Sequence, residues 1–428
     1  MKIQNIIFPL MMAGVSHATT FSIDPSMDFI AALKAAQAGD TLKFEAGTYT
    51  IPYVVGSKNL IELSQKGTAM APIVVWADGH AQAIFDFSFP ELTYVDKSFG
   101  FYVTGNYWEF HGIGITRAGY QGAYITGSYN SFMDCAFFEN RNTGLEINKG
   151  GNHTLVKRCD SYRNYDPKKG GSMADGFGPK ETQGAGNKFV QCRAWENSDD
   201  GFDAYESPET VVIEDSWAFR NGVNVFGYTT FTGNGNGFKM GGNYIQANHT
   251  LLRCVASDNP AKGFDENNNT GGITIEQSIG YANGINFGMG GDNLNAGQSH
   301  TFSNNISYAG LSSNGIADNS TEKNNSWNLG ITPSKADFQS LDTTLATATR
   351  DADGNIPATI LFRLTVSSKM IDAGADLGYD YVGSAPDLGP FETESGTTII
   401  QSQQSPSAKA LQKLRYYNLL GKQIQNAP

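Results

Sequence analysis

The stretch KFVQCRAWENSDDGFDAYESPETVVIEDSWAFRN, residues 188–221, contains one short phrase twice, as CRAWEN from Cys192 and SWAFRN from Ser216. Each copy follows a run in which apolar and polar residues alternate, the period of a strand with two unlike faces. The phrase recurs as CAFFEN at Cys135, CDSYRN at Cys159, CVASDN at Cys254, SIGYAN at Ser278 and, degenerate, NISYAG at Asn305. The intervals 135 to 159, 192 to 216 and 254 to 278 are each 24 residues, and the others are longer, as if loops had been inserted into the same unit. A period in the low twenties built from short strands and turns marks a solenoid. The LxxLxLxxN phrase of leucine-rich repeats is absent and helical windows are missing, so the pattern predicts an all-β parallel β-helix.

Coils of such a helix stack at roughly the 4.8 Å strand spacing, and residues in one slot of successive coils form a ladder. The phrases end in Asn140, Asn164, Asn197, Asn221, Asn259 and Asn283, an expected ladder of amides bonding to one another and to turn backbone. The four cysteines, Cys135, Cys159, Cys192 and Cys254, take the first slot of their phrases. Buried free thiols are the preferred reading there, with a Cys135–Cys159 disulfide left open. No CxxC pair exists, which excludes a zinc ribbon.

Composition agrees with this architecture. The 428 residues include 49 glycines, with 12% aromatic and only 17% charged residues, a glycine-punctuated β profile rather than a disordered chain or coiled coil. A formal charge of −12 counts against nucleic-acid binding, and attraction of any anionic polymer would need a local positive charge such as a metal. Residues 1–18 (basic Lys2, an apolar run from Ile6 to Val15, then Ser-His-Ala) read as a signal peptide cleaved after Ala18, with no membrane span. An exported protein is expected. Residues 19–393 read as one β-helix domain, opened by a cap at about 24–40 in which Asp28–Ala38 forms a helix over the first coil. TLKFEAGTY at 41–49 is the expected first strand and turn, and a loop-rich segment at about 311–393 the expected closure of the barrel. Residues 394–428 read as a polar linker and, in KLRYYNLLGKQI, a segment resembling a C-terminal sorting tail of some Bacteroidetes secreted proteins.

A second element follows each asparagine: Gly144-Leu145, Gly176-Phe177, Gly201-Phe202, Gly237-Phe238 and Gly263-Phe264. In two coils it is delayed by the inserts YDPKKGGSMAD and GVNVFGYTTFTGNGN, which should project from one edge of the solenoid as binding loops. The slot before the glycine holds Thr143, Asp175, Asp200, Asn236 and Lys262; the slot two after it holds Glu146, Gly178, Asp203, Lys239 and Asp265. Asp175 and Asp200 should therefore be neighbours, Asp203 should underlie Lys239, and Asp199 should sit beside Asp200. One Asp-Gly pair is an ordinary turn. Four aspartates in register would repel one another, and hard oxygen ligands at a loop edge suit Ca²⁺ better than Mg²⁺, which retains water. The spacing is not that of an EF-hand. Lys239, one coil from the aspartates, would be held protonated without metal and released as a general base when a cation neutralises them. HExxH, GxSxG and phosphate-loop motifs are missing. A hydrolase of the polygalacturonase type would use paired aspartates instead, and the in-register lysine disfavours it.

At these residues the sequence resembles polysaccharide lyase family nine, and within it the pectate lyases. The likeness is carried by SFGFYVTGNYWEF, ITRAGYQGAY, NRNTGLEIN, YRNYDPKKGGSMADGFGPK, CRAWENSDDGFDAYESP, SWAFRNG, GNGFKMGGN, KGFDENNN and SAPDLGPFE, over roughly residues 40–393. It implies a right-handed parallel β-helix of about ten coils, Ca²⁺ held by Asp175, Asp199, Asp200 and Asp203, and Lys239 as Brønsted base. The implied reaction is β-elimination on polygalacturonate by a secreted monomer. Rhamnogalacturonan lyases belong to the same family, and a non-catalytic β-helix that binds carbohydrate is the alternative from a different class. Lys168, Lys169 and Lys180 lie near the site in sequence, either as grips for neighbouring uronate carboxylates or as solvated loop lysines.

Overall fold

The computed structural model describes residues 18–291 and 293–393. The expected signal segment, except Ala18, and the 394–428 tail lie outside these described residues. Three all-parallel sheets run the length of the molecule, as a β-helix requires. Among the described residues the first has twelve strands, from Thr20–Ile23 to Thr321–Lys323. The second has ten, from Ile61–Leu63 to Gly315–Ile316, and the third ten, from Gly47–Thr50 to Ile306–Tyr308.

The repeated phrase accounts for the coil. Lys188–Val190 lies in the first sheet and Arg193–Trp195 in the third, and Phe202–Asp203 lies in the second. Between them the chain turns on single left-handed residues, Gln191 (φ 53°) and Glu196 (φ 52°), in the same positions as Arg158 and Arg163 one coil earlier. Non-glycine residues in this region cost roughly 1 kcal/mol each. Side-chain bonding between such residues in neighbouring coils offsets part of that, as where Arg158 Nε donates to Asp134 Oδ1 at 2.6 Å.

The ladders form as expected. Asn140, Asn164, Asn197, Asn221 and Asn259 each donate from Nδ2 to Oδ1 of the next asparagine, at 3.0, 2.8, 3.0, 3.2 and 2.9 Å. Where the phrase decays to NISYAG the ladder ends on Asn286, which accepts from Asn283 at 3.0 Å and donates to the Tyr308 carbonyl. The Gly-Phe element builds the core: Phe177, Phe202, Phe238, Phe264 and Phe287 stack with centroids 5.1, 4.9, 5.2 and 4.9 Å apart. All four cysteines are free and buried. The Cys135–Cys159 bridge does not form; each thiol donates to a backbone carbonyl instead.

A different ladder explains two histidines. In the turn leading into the first sheet, Asn187 Oδ1 accepts from the Thr154 N–H at 2.9 Å. In later coils His249 Nδ1 accepts from Val211 N–H at 3.1 Å and His300 Nδ1 from Ile273 N–H at 3.0 Å. The imidazoles serve as amide substitutes and must be neutral, with the proton on Nε2. Burial pushes both down to about 4. An unfolded histidine titrates near 6.5, so the stability these rings contribute is complete above that pH and is lost as pH falls toward 4. Each protonation costs up to about 3 kcal/mol. Melting temperature followed from pH 7 to 4 should fall through this window, and less steeply in His249→Asn, whose amide can still accept from Val211.

The ends differ in part from the sequence expectation. The capping helix covers Phe29–Ala35, shorter than Asp28–Ala38. Asp28 caps it through the Ala31 N–H at 2.9 Å, while Asp40 takes the Gln37 N–H at 2.9 Å and pulls the chain into a turn. Phe29 and Leu33 close the first coil against Tyr49 and Phe85. A strand at Thr20–Ile23, before the helix, pairs with Thr41–Phe44 and starts the first sheet one strand earlier than expected. At the other end Trp327 packs on Phe287 and Phe302. Trp327, within the loop-rich segment, thus closes that end as expected, and the rest of the segment lies along the outer face of the third sheet, placing Phe338 on Tyr308, Phe362 on Tyr281 and Phe391 on Trp217. Its anchor is buried: Asp160 accepts from Arg193 at 2.9 Å and from Arg350 at 2.6 Å. Arg350→Ala should destabilise the protein by about 3 kcal/mol, the cost of breaking a buried ion pair, readable as a lowered denaturant midpoint.

Candidate active site and metal centre

The second sheet carries the site. Its outward slot runs Glu62, Tyr102, Tyr124, Glu146 and Gly178 through consecutive pairings, and Asp203 pairs with Lys239, which pairs with Asp265. The slot before the glycine is a hydrogen-bonded ladder of its own. Thr143 Oγ1 donates to Asp175 Oδ2 at 3.0 Å, and the Asp200 N–H to Asp175 Oδ1 at 3.2 Å. Asp200 Oδ1 accepts from Asn236 N–H at 2.7 Å and from its side-chain amide at 2.8 Å. Coil stacking therefore aims each carboxylate before any ligand arrives.

Asp175, Asp200 and Asp203 are buried and offer oxygens that all lie within 4.8 Å of one another. Asp199 stands beside this group, its Oδ1 accepting from the Asn234 N–H at 3.1 Å, so the sequence-predicted quartet is a tight trio with one neighbour. Lys239 Nζ lies 3.1 Å from Asp200 Oδ2 and 3.5 Å from Asp203 Oδ1, against the Tyr205 ring, with 19% of its side chain exposed. Glu206 turns away to Asn243.

Lys180, for which the sequence allows either a uronate grip or a solvated loop lysine, is buried in the centre. Its Nζ is 2.6 Å from Asp175 Oδ2 and 3.1 Å from Asp203 Oδ2. Lys180 folds back over Gly178, where a Cβ would come within 3.2 Å of Lys180 Cε and crowd it by a few tenths of an ångström. Lys168 lies over the Tyr94 ring instead, 4.9 Å from its centroid, and Lys169 is exposed.

Electrostatics follow from this crowding. Burial and the neighbouring carboxylates push Asp199 well up, and burial carries Asp200 up to about 7 despite Lys239. Burial acts upward on Asp203 too, but Lys239 and Lys180 outweigh it and hold it below the usual carboxylate range. Burial favours neutral Lys239, yet Asp203, Asp200, Asp175 and Asp199 together hold its ammonium protonated. Four carboxylates against two ammonium groups leave a formal charge of −2, which one divalent cation would neutralise. The donors are hard oxygens in an irregular cluster, the preference of Ca²⁺.

The two inserts wall one side of this centre. Tyr165 of the first packs against Phe226 and Tyr228 of the second, and Thr232 N–H donates to the Gly170 carbonyl at 2.8 Å.

A parallel β-helix with a carboxylate–lysine centre on one sheet defines the class. The sequence matches the family described as "Pel9A-like, right handed beta helix region" over residues 12–305, and the chain belongs to that family. It is 55% identical over 380 residues to pectate lyase L of Dickeya chrysanthemi, covering 89% of this chain and 88% of that one. Its structure is similar to that of pectate lyase Pel9A (TM-score 0.84, 52% identity, 89% of this chain and 97% of that one). It is more distantly similar to a rhamnogalacturonan lyase structure (TM-score 0.68, 25% identity, 82% and 97% covered).

Proposed function

We propose that the chain is a calcium-dependent pectate lyase that cleaves polygalacturonate by β-elimination, giving 4,5-unsaturated oligogalacturonides. Lys239 is the Brønsted base, and Asp175, Asp199, Asp200 and Asp203 hold the calcium. The observation that carries this reading is a partly exposed amine seated on the rim of an overcharged carboxylate cluster. The identity to pectate lyases over nine-tenths of the chain supports it.

Calcium bound here supplies the positive charge that engages the uronate carboxylate and acidifies the proton on carbon five. With the aspartates neutralised, the field that keeps Lys239 protonated is gone, and its partial burial then favours the free amine. Lys239 Nζ takes the carbon-five proton; that C–H electron pair becomes the bond between carbons four and five. The oxygen on carbon four leaves with the electrons of its bond and is protonated by solvent. Lys180 tethers Asp175 and Asp203 throughout. No water enters the bond cleavage, which sets this apart from a polygalacturonase. A rhamnogalacturonan backbone would be served by the same base and metal, and the second structural likeness is what favours keeping it in view. We also read the protein as exported, on residues 1–18, and as a monomer.

The test incubates polygalacturonate or rhamnogalacturonan with the protein and Ca²⁺ or a chelator and follows ultraviolet absorbance of the unsaturated product. Calcium-dependent growth on polygalacturonate is expected. Growth on neither polymer would sink the lyase reading, and new reducing ends without absorbance would indicate hydrolysis.

A further inference from the structure

The cavity that holds Lys239 and Asp203 does not stop at them. It has a volume of about 500 Å³ and reaches Lys97, Phe99, Tyr124 and Lys149 at its far end. Tyr124 occupies the same outward slot of the second sheet as Lys239, with Glu146, Gly178 and Asp203 between them. Four strand spacings of about 4.8 Å place it roughly 19 Å from the base. Tyr102 follows one coil beyond.

The far end has its own chemistry. Phe99 stacks on Tyr124 with centroids 4.5 Å apart and planes 9° apart, and Tyr102 is 5.8 Å from Tyr124. Lys149 Nζ lies 5.9 Å from the centre of the Tyr124 ring. Lys97 and Lys149 are exposed, and no ion pair forms on either among the described residues. Of the carboxylates between platform and base, Glu146 and Asp203 are buried and met from within the protein, while Glu181 is exposed at the rim. Glu146 accepts from Gln121 at 2.7 Å and from Asn148 at 2.9 Å, and Asn148 also donates to Glu181 at 2.9 Å. In a chain of charge −12, two uncommitted ammonium groups beside the partly exposed Tyr102 ring, itself backed by the buried Phe99–Tyr124 stack at one end of the catalytic groove, call for an anionic partner with an apolar face.

We propose that Tyr102, backed by the buried Phe99–Tyr124 stack, forms with Lys97 and Lys149 a remote uronate-binding subsite that engages a sugar about four residues along the chain from the cleaved bond. This rests on the polygalacturonate reading of the centre. Tyr102, partly exposed above the buried Phe99–Tyr124 stack, takes the C–H face of a pyranose and the lysines its carboxylate, so the subsite holds long unesterified chains and makes no contact with short ones. It draws the enzyme toward internal cleavage of polymer.

The experiment compares Lys97→Ala/Lys149→Ala and Tyr102→Ala with the wild type on polygalacturonate and on trigalacturonate, by ultraviolet absorbance with Ca²⁺. On polymer the double variant should raise KM about 5- to 20-fold with kcat within twofold, two solvent-exposed contacts being lost. Added salt should shrink the difference. On the trimer kcat/KM should stay within twofold of wild type. Unchanged polymer kinetics, or equal losses on both substrates, would overturn the subsite. Calorimetric titration of decagalacturonate into Lys239→Ala, with and without the two lysine changes, reads the subsite without turnover. About tenfold weaker binding is expected, and equal affinities would refute it. A wild type inactive on both substrates would instead refute the lyase reading.

Discussion

Lys239→Ala is expected to lower kcat on polygalacturonate by about 10²- to 10⁴-fold, the usual contribution of a positioned general base. KM should change little, because in the proposed mechanism Lys239 meets the reacting proton rather than a remote part of the chain. Calcium affinity should hold or rise, since the change removes a positive charge 3.1 Å from Asp200. That combination separates a base from a structural lysine: turnover collapses, while the melting temperature and its rise with Ca²⁺ persist. A variant retaining a tenth or more of wild-type kcat would remove Lys239 from the chemistry. Lys239→Arg should fare little better than alanine, because a guanidinium does not give up its proton near neutral pH.

Asp203→Asn is expected to weaken calcium binding by at least about 100-fold, a ligand loss exceeding the effect of outer partners. Asp203 is the residue both amines share, with Lys180 at 3.1 Å and Lys239 at 3.5 Å. Its replacement reduces the formal charge of the cluster from −2 to −1 and leaves Lys180 tied to Asp175 alone. Calorimetry should show the lost affinity directly. Bound ligand stabilises a fold in proportion to the logarithm of its concentration over Kd, so the calcium-induced rise in melting temperature should vanish at low millimolar Ca²⁺. An undiminished thermal shift in Asp203→Asn would place the cation elsewhere.

Much of this centre was legible because a coil is a local object. Each coil, whatever its length, repeats the same asparagine and glycine-apolar signature, so Asp203 under Lys239 and Asp175 beside Asp200 could be aligned on that glycine. The asparagine and phenylalanine ladders were readable for the same reason. Lys180 was not. The slot four after the glycine holds Asn148, Lys180, Tyr205, Gly241 and Asn267, with no recurring chemistry, and Lys180 acts by folding back over Gly178. The direction of a long flexible side chain depends on the space its neighbours leave, which slot alignment does not record. His249 and His300 were likewise silent, standing in for asparagines whose role is to accept one backbone N–H.

The solenoid, its register, the carboxylates that gather and the lysine that stands over them are written in the repeat, because each rests on contacts between consecutive coils. Three things depend on the folded chain: Asp199 sits just outside the tight trio, Lys180 is a second ammonium inside the centre, and residues 335–391 strap the third sheet while Trp327 closes the end of the core. Those outcomes turn on side-chain direction and on contacts such as Arg350 with Asp160, 190 residues apart. No repeat constrains contacts of that kind; packing and the pairing of buried charge do.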